Sequence, residues 1–315
     1  MYPEHRLIYG KLRESLYITT PILNRNATAL GAGETAPDTP TSRQETVFFI
    51  CHKKGVMEIQ TIKRDFGDFD TVELYALADV HMGDMNQDKK RLKQFIAEVK
   101  EQRNRFVIVN GDIVNLALRH SVSDIYSEEY PPNVAIDKTV ELLQEIKDRI
   151  VVVTEGNHEA RAYKSDGILV MDRVTKELQI PETYSAGAYL IFATLGKNRG
   201  SNHRKTSYAI YGKHSNGGGG RRVGGKANKL EDMAGIIDAD IYIVSHTHQV
   251  MAFRKDFFRC NYRNQAITLT EKLFINTNAF LGYGGYGEEH GYTPASTRYP
   301  KIILEGYERN SQVLL

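Results

Sequence analysis

Val72-Glu-Leu-Tyr-Ala-Leu-Ala-Asp79-Val-His81 runs from an apolar stretch of strand character straight into a carboxylate and an imidazole. The construction recurs four times. Phe106–Val109 leads to Gly111-Asp112, and Ile150–Val153 to Gly156-Asn157-His158-Glu159; Tyr208–Tyr211 leads to Gly212-Lys213-His214, and Ile241–Val244 to Ser245-His246-Thr247-His248. Gly-Asp by itself is an ordinary turn dipeptide, and a lone histidine on a strand is most often structural. Here, however, five of the ten histidines fall in these segments, each behind a strand-like run. In open α/β sheets, sites form beyond the carboxyl ends of strands, so this placement is the one a site requires.

Between the blocks the period changes from two to that of a helix. Asp88–Gln102 carries Leu92, Phe95, Ile96 and Val99 at i, i+3, i+4 and i+7, one apolar stripe. Ile136–Ile150 repeats the pattern with Val140, Leu143, Ile146 and Ile150. This β-α-β-α-β order predicts parallel strands with right-handed crossovers. The second half reads as β: a hairpin from Tyr189–Leu195 and Thr206–Tyr211, then Ile241–Val244, Ala266–Leu269, Leu273–Ile275 and Lys301–Tyr307. The expected fold is α/β, with two packed mixed sheets and helices outside.

Aspartate, asparagine and histidine together suit a pair of divalent metals: a carboxylate bridges the ions, and imidazoles and a carbonyl oxygen complete the shells. Such a pair activates a bridging water and clamps a phosphoryl group for in-line displacement.

The ordered series D-x-H, G-D, G-N-H-E, G-x-H and S-H-T-H, spanning Glu73 to Asn278, resembles the calcineurin-like metallophosphoesterase superfamily. The resemblance implies a four-layer α/β/β/α sandwich and a binuclear, metal-dependent phosphoesterase that hydrolyses its ester with a metal-bridging hydroxide. It implies Asp79, His81 and His248 as ligands of one metal, Asn157, His214 and His246 as ligands of the other, and Asp112 as the bridge. His158 is implied over the phosphate, stabilising charge or protonating the leaving alkoxide. Mn²⁺ is the first choice of metal, with Fe, Zn or Ni as alternatives that ligand type does not discriminate. Within the superfamily, Ser121–Tyr126 and the Gly217–Lys226 loop look like phage and prophage members. Expected substrates are phosphodiesters in DNA, RNA or nucleotides. A phosphomonoesterase on nucleotides or phosphoproteins is the second reading, and a metal-binding scaffold without activity the third.

The second block departs from the phosphoprotein phosphatase pattern G-D-x-V-D-R-G. Asn115 stands in place of the acid with no arginine after it, which demotes protein phosphatase activity. Ser245 stands where the fifth block usually has glycine. Arg161, three residues past His158, and Arg119 are candidates to grip a substrate phosphate, since a guanidinium holds two oxygens at once; either can equally pair with a carboxylate such as Glu159. Gly220–Lys226 matches G-x-x-x-x-G-K, but Ala227 removes the metal-binding hydroxyl of a P-loop, so ATP binding is rejected. The segment is read instead as a glycine loop whose Arg221, Arg222 and Lys226 form either a flap over substrate or a solvated surface. The basic turn Lys197–Lys205 is read as solvated. Tyr283 and Tyr286 are candidates for an active-site rim.

With 41% hydrophobic and 25% charged residues in 315, the composition is that of a globular protein. A net charge of +2 declares no nucleic-acid partner by itself. Two cysteines, Cys51 and Cys260, make no disulfide framework and favour a reducing compartment. No apolar run approaches the roughly 18 residues of a membrane span, and charges interrupt the first residues, so no membrane partner and a cytoplasmic location are expected. Residues 1–56 read as an irregular or disordered extension and 57–315 as the phosphoesterase domain, with Met57 an alternative start.

Overall fold

The computed structural model describes residues 59–119, 121, 125–199, 204–215, 222–284, 288, 291, 293–294 and 296–315. The expectations for residues 1–56 and Met57 lie outside them, as do those for Arg221 and Tyr286. The element order begins β1 (Gln60–Asp65), β2 (Thr71–Leu77), α1 (Lys89–Glu101), β3 (Arg105–Asn110), α2 (Pro132–Gln144) and β4 (Ile150–Thr154). It continues with α3 (Glu159–Asp166), α4 (Val170–Glu177), β5 (Tyr184–Ser185), β6 (Tyr189–Arg199), β7 (Arg204–His214) and α5 (Val223–Glu231). The chain closes with β8 (Ile241–Ser245), β9 (Met251–Asn261), β10 (Ala266–Asn276), β11 (Lys301–Glu305) and β12 (Ser311–Leu314).

Two six-stranded mixed sheets result, in the orders β1-β6-β7-β8-β10-β9 and β12-β11-β2-β3-β4-β5. Strand alternation sorts the apolar residues into three layers of core. Leu74 and Ala76 of β2, with Ile241 and Ile243 of β8, fill the space between the sheets. Tyr75 and Leu77, one residue out of phase, meet Leu92, Phe95, Ile96 and Val99 of α1 and Leu143 of α2 on the outer face of one sheet. Tyr242 and Val244 do the same on the other sheet, against Leu230 of α5. This is the expected α/β/β/α sandwich. The described residues all fall within one compact unit. No helix among the described residues is long and apolar enough to cross a membrane.

Several elements differ from their sequence reading. Helix α1 starts where expected, with Asp88 capping the Arg91 amide at 3.0 Å. Helix α2 instead starts earlier, at Pro132, whose fixed φ and missing N–H suit a first helical position, and it ends at Gln144. A 3₁₀ turn, Lys147–Arg149, follows, so Ile150 opens β4 rather than closing the helix. Ala266–Leu269 and Leu273–Ile275 are a single strand, β10, and its antiparallel partner β9 was not expected. The glycine loop gives way at Val223 to α5, and Lys226 is buried within that helix, its Nζ donating to Gln249 Oε1 at 2.9 Å and Thr247 O at 3.3 Å. Lys226 therefore belongs to no flap.

Candidate metal centre

Strands β2, β3 and β4 are parallel neighbours, so Asp79, Asp112 and Asn157 follow three adjacent carboxyl ends. From the other sheet, β7 ends in His214, and its parallel neighbour β8 leads into His246 and His248. The loop after β2 is zipped to the loop after β3: Asp79, His81 and Met82 amides donate to Gly111, Asp112 and Ile113 carbonyls at 3.0, 3.0 and 2.7 Å. The loop after β4 is joined to the same place by Glu159. Its Oε1 accepts from the Ile113 and Val114 amides at 2.7 and 2.9 Å, and its Oε2 from Asp112 and Gly156 at 3.0 and 2.8 Å. The backbones approach so closely that a Cβ on Gly156 would fall on the Asp112 amide and Oδ1.

This framework holds an unusual backbone. Asp79, His81, Asp112, His246 and His248 have φ of +50°, +49°, +52°, +92° and +56°. Residues other than glycine visit this region at a cost of about 1–3 kcal/mol each, and such residues collect where function demands a particular aim. Here the strain turns the side chains inward. Asp79, His81 and His248 place one ligand atom each within 4.8 Å of one another, as do Asp112, His214 and His246. Asn157 Oδ1 lies 3.1 Å from His214 Nε2. His158 joins His81 and Asp112 in a third such group.

The donor set fits cations. Nδ1 of His81 donates to Asn115 Oδ1 at 3.0 Å and Nδ1 of His214 donates to Asn110 O at 2.8 Å, which fixes both tautomers with the Nε2 lone pair facing inward. Those lone pairs meet other lone pairs: His81 Nε2 is 3.3 Å from His248 Nε2, and His214 Nε2 is 3.1 Å from Asp112 Oδ2. Asp79 Oδ1 and Asp112 Oδ2 are buried and accept no hydrogen bond. A buried carboxylate oxygen left so is costly unless a positive charge meets it. Burial disfavours charge on His214, but Asp112 and then Asp79 override it and push its pKa up to about 10, so that without a cation Nε2 holds a proton which a bound ion would replace. The carboxylates thus draw positive charge to this position.

Residues 74–250, more than half of the chain, match the calcineurin-like phosphoesterase family model. The chain belongs to this family. No curated protein matches the chain by sequence. Among solved structures it is similar to a conserved Streptococcus pneumoniae TIGR4 protein described as a predicted phosphoesterase (14% identity, 78% of this chain and 98% of the other, TM-score 0.33). It is also similar to a metallophosphoesterase from Sphaerobacter thermophilus (14%, 74% and 84%, 0.36). A third is the nuclease MPE of Pseudomonas putida (13%, 76% and 87%, 0.31). Likenesses this distant carry no statement about substrate.

Around the candidate centre, the structure gathers all eight residues singled out at the five blocks, and it places Arg161 beside them. Arg161 pairs with His158 rather than with Glu159: its Nη2 donates to His158 Nε2 at 3.1 Å, and its Nη1 reaches Asn115 O at 3.4 Å. His158 Nδ1 donates to that same carbonyl at 2.6 Å. Burial, with His81 next, pushes the His158 pKa down to about 3, so the imidazole is neutral. Arg119 is exposed.

Four further residues escaped the reading as contributors. Asn115 Oδ1 orients His81 while its Nδ2 donates to Glu128. Asn110 carries His214 on its carbonyl and donates from Nδ2 to Ser245 Oγ at 2.5 Å, so the serine in the fifth block ties the two sheets together beside the centre. Glu159 is the backbone staple already described. Asn115 announced itself only as a departure from pattern, Ser245 likewise, and Asn110 gave no signal.

Proposed function

We propose that the chain is a binuclear metal-dependent phosphodiesterase acting on nucleic acid or nucleotides, working with Mn²⁺, and that it stands among the phage-type members of its family. The observation that carries the metal-dependent reading is the pair of buried carboxylate oxygens, Asp79 Oδ1 and Asp112 Oδ2, that accept no hydrogen bond and face inward-aimed imidazoles. Asp79, His81 and His248 would hold one ion and Asn157, His214 and His246 the other, with Asp112 between them. Bound ions would neutralise the phosphoryl oxygens and acidify a water for attack on phosphorus.

The chain's own groups do the rest. Asn115 and Asn110 hold His81 and His214 in the tautomer that offers Nε2. His158 and Arg161 form one unit beside the ligands, with Nε2 of His158 as the acceptor. A substrate phosphate that draws the guanidinium away leaves Nε2 open to take up a proton from solvent, which it can then pass to the leaving oxygen. The absence of an arginine after Asn115 favours diesters over phosphoproteins.

The test compares hydrolysis of bis-p-nitrophenyl phosphate and p-nitrophenyl phosphate with added Mn²⁺. Faster diester cleavage that Asp112→Asn abolishes is the expected result. Monoester preference would overturn the diester reading, and metal binding without turnover on either substrate would point to a scaffold. His158→Asn is expected to lose nearly all turnover yet keep its metals; metal loss in that variant contradicts the role given to His158.

A further inference from the structure

The hairpin of β9 and β10 reaches past the sheet that carries it. β9 pairs with β10 along its whole length, from Met251 opposite Asn276 to Asn261 opposite Ala266. β8 pairs with β10 only at Leu273–Asn276, and β9 is the edge strand. The outer seven pairs therefore form a two-stranded ribbon with no third strand on either side among the described residues. Such a ribbon is marginal in water unless its faces are covered.

The two faces are treated differently. On one, Phe257 packs against the core under α5, Lys255 pairs with Glu231, and Asp238 receives Lys272 at 2.7 Å and Arg259 at 3.1 Å. On the other, Phe258 lies directly across from Leu269, and Cys260 across from Ile267, with Tyr262 at the turn. These side chains meet water: Phe258 is 81% exposed, Leu269 62%, Ile267 71% and Tyr262 90%. Contiguous exposed apolar surface of this kind marks an interaction site. Charge brackets it. Toward the sheet, Asp256 lies across from Glu271, two acids side by side on the same face, with Arg254 reaching Glu271 and the Ser311 carbonyl but not Asp256. Past Tyr262, at the tip, comes Arg263.

We propose that this face is a homodimer interface, with the ribbon of one copy lying antiparallel on the ribbon of a second copy. A stripe that runs acid, apolar, basic is complementary to itself under two-fold rotation. Arg263 of each copy then meets Asp256 and Glu271 of the other, and Phe258 and Leu269 are covered between them. The axis passes near Cys260, which lies about midway along the chain between Asp256 and Arg263 and is a free, exposed thiol. The ribbon extends from the amino end of β10, which runs parallel to β8, whereas the metal centre lies beyond the carboxyl end of β8. Dimerisation leaves the centre open.

Sedimentation equilibrium of the full chain over a range of concentrations is expected to show a monomer–dimer equilibrium. Phe258→Glu should abolish the dimer. Asp256→Arg alone and Arg263→Asp alone should each weaken it about tenfold or more, and the two together should restore it. In a Cys51→Ser background, diamide, which takes up the two thiol protons and two electrons, should link the dimer through Cys260. Unchanged circular dichroism and diester turnover in each variant exclude misfolding as the cause. A monomer at every concentration, a dimer indifferent to Phe258→Glu, or a double reversal no tighter than the singles overturns the proposal.

Discussion

Asn115 shows how much a single amide can settle. It accepts from His81 Nδ1 and donates to Glu128, and its carbonyl takes His158 Nδ1 and Arg161. An aspartate at this position could accept from His81 but not donate, and it would face Glu128 as a like charge. Burial already pushes the Glu128 carboxyl above its usual range. Asn115→Asp is therefore expected to lower metal affinity about 10–100-fold, as removal of an orienting partner does. Glu128→Gln in the same chain should recover most of the loss by giving the new carboxylate a donor. Metal titration followed by calorimetry checks both; an unaltered affinity in Asn115→Asp would remove the orienting role. Residue identity made the eight residues of the five blocks readable, because each carries its own chemistry. It could not make Asn110 readable, since what Asn110 supplies to His214 is a main-chain oxygen that any residue possesses.

At the scale of elements, the site is three loops bound to one carboxylate. Glu159 takes four backbone amides, and Gln in its place has only one side-chain acceptor, so the amides at one end are left buried and unpaired. Glu159→Gln is expected to cost about 3 kcal/mol or more of stability, read from denaturant unfolding. Gly156→Ala should lose metal binding as well, because its Cβ would occupy the place of Asp112. The strands on the inner and outer cores were legible because both of their faces are apolar or alternate cleanly. β9 was not: its outer half carries Arg254, Lys255, Asp256 and Arg259 among its aromatics, since water lies against much of it. The end of α2 was misjudged because Ile150 sits at helical spacing from Leu143 and Ile146, while the 3₁₀ turn between them obeys local geometry that apolar spacing does not record.

For the molecule as a whole, removal of metal should be felt as lost stability, since ligands from both sheets share the centre. Chelation is expected to lower the melting temperature, by linkage of about 2.7 kcal/mol for a metal previously present at a hundred times its Kd. An unmoved transition would exclude a resident metal. Acid should act elsewhere. Burial tends to raise the Glu98 pKa, but hydrogen bonds from Tyr299, Lys301 and Tyr75 prevail and hold it below the usual range. A carboxyl depressed in the folded state stabilises above its unfolded pKa, and the contribution fades as pH falls through the folded value. Melting from about pH 7 to about pH 3 should therefore fall less steeply in Glu98→Gln than in the parent. An identical slope would show that Glu98 adds nothing. The layered architecture was legible from period and order alone; the crossing of strands between sheets was not, because pairing partners far apart in sequence leave no local mark.

That crossing has a temporal consequence. β1 lies at an edge of one sheet, β2 to β5 build the other, and β11 returns to pair with β2 after the first sheet is complete. During synthesis the chain emerges from its amino end, so Asp79, Asp112 and Asn157 leave the ribosome long before His214, His246 and His248 exist. The nascent chain thus carries an acid-rich half-site with no imidazole from the second sheet to complete it. A truncated or stalled product ending before β7 lacks His214, His246 and His248, so whatever catalytic power the protein has arrives late, with the release of a nearly whole chain.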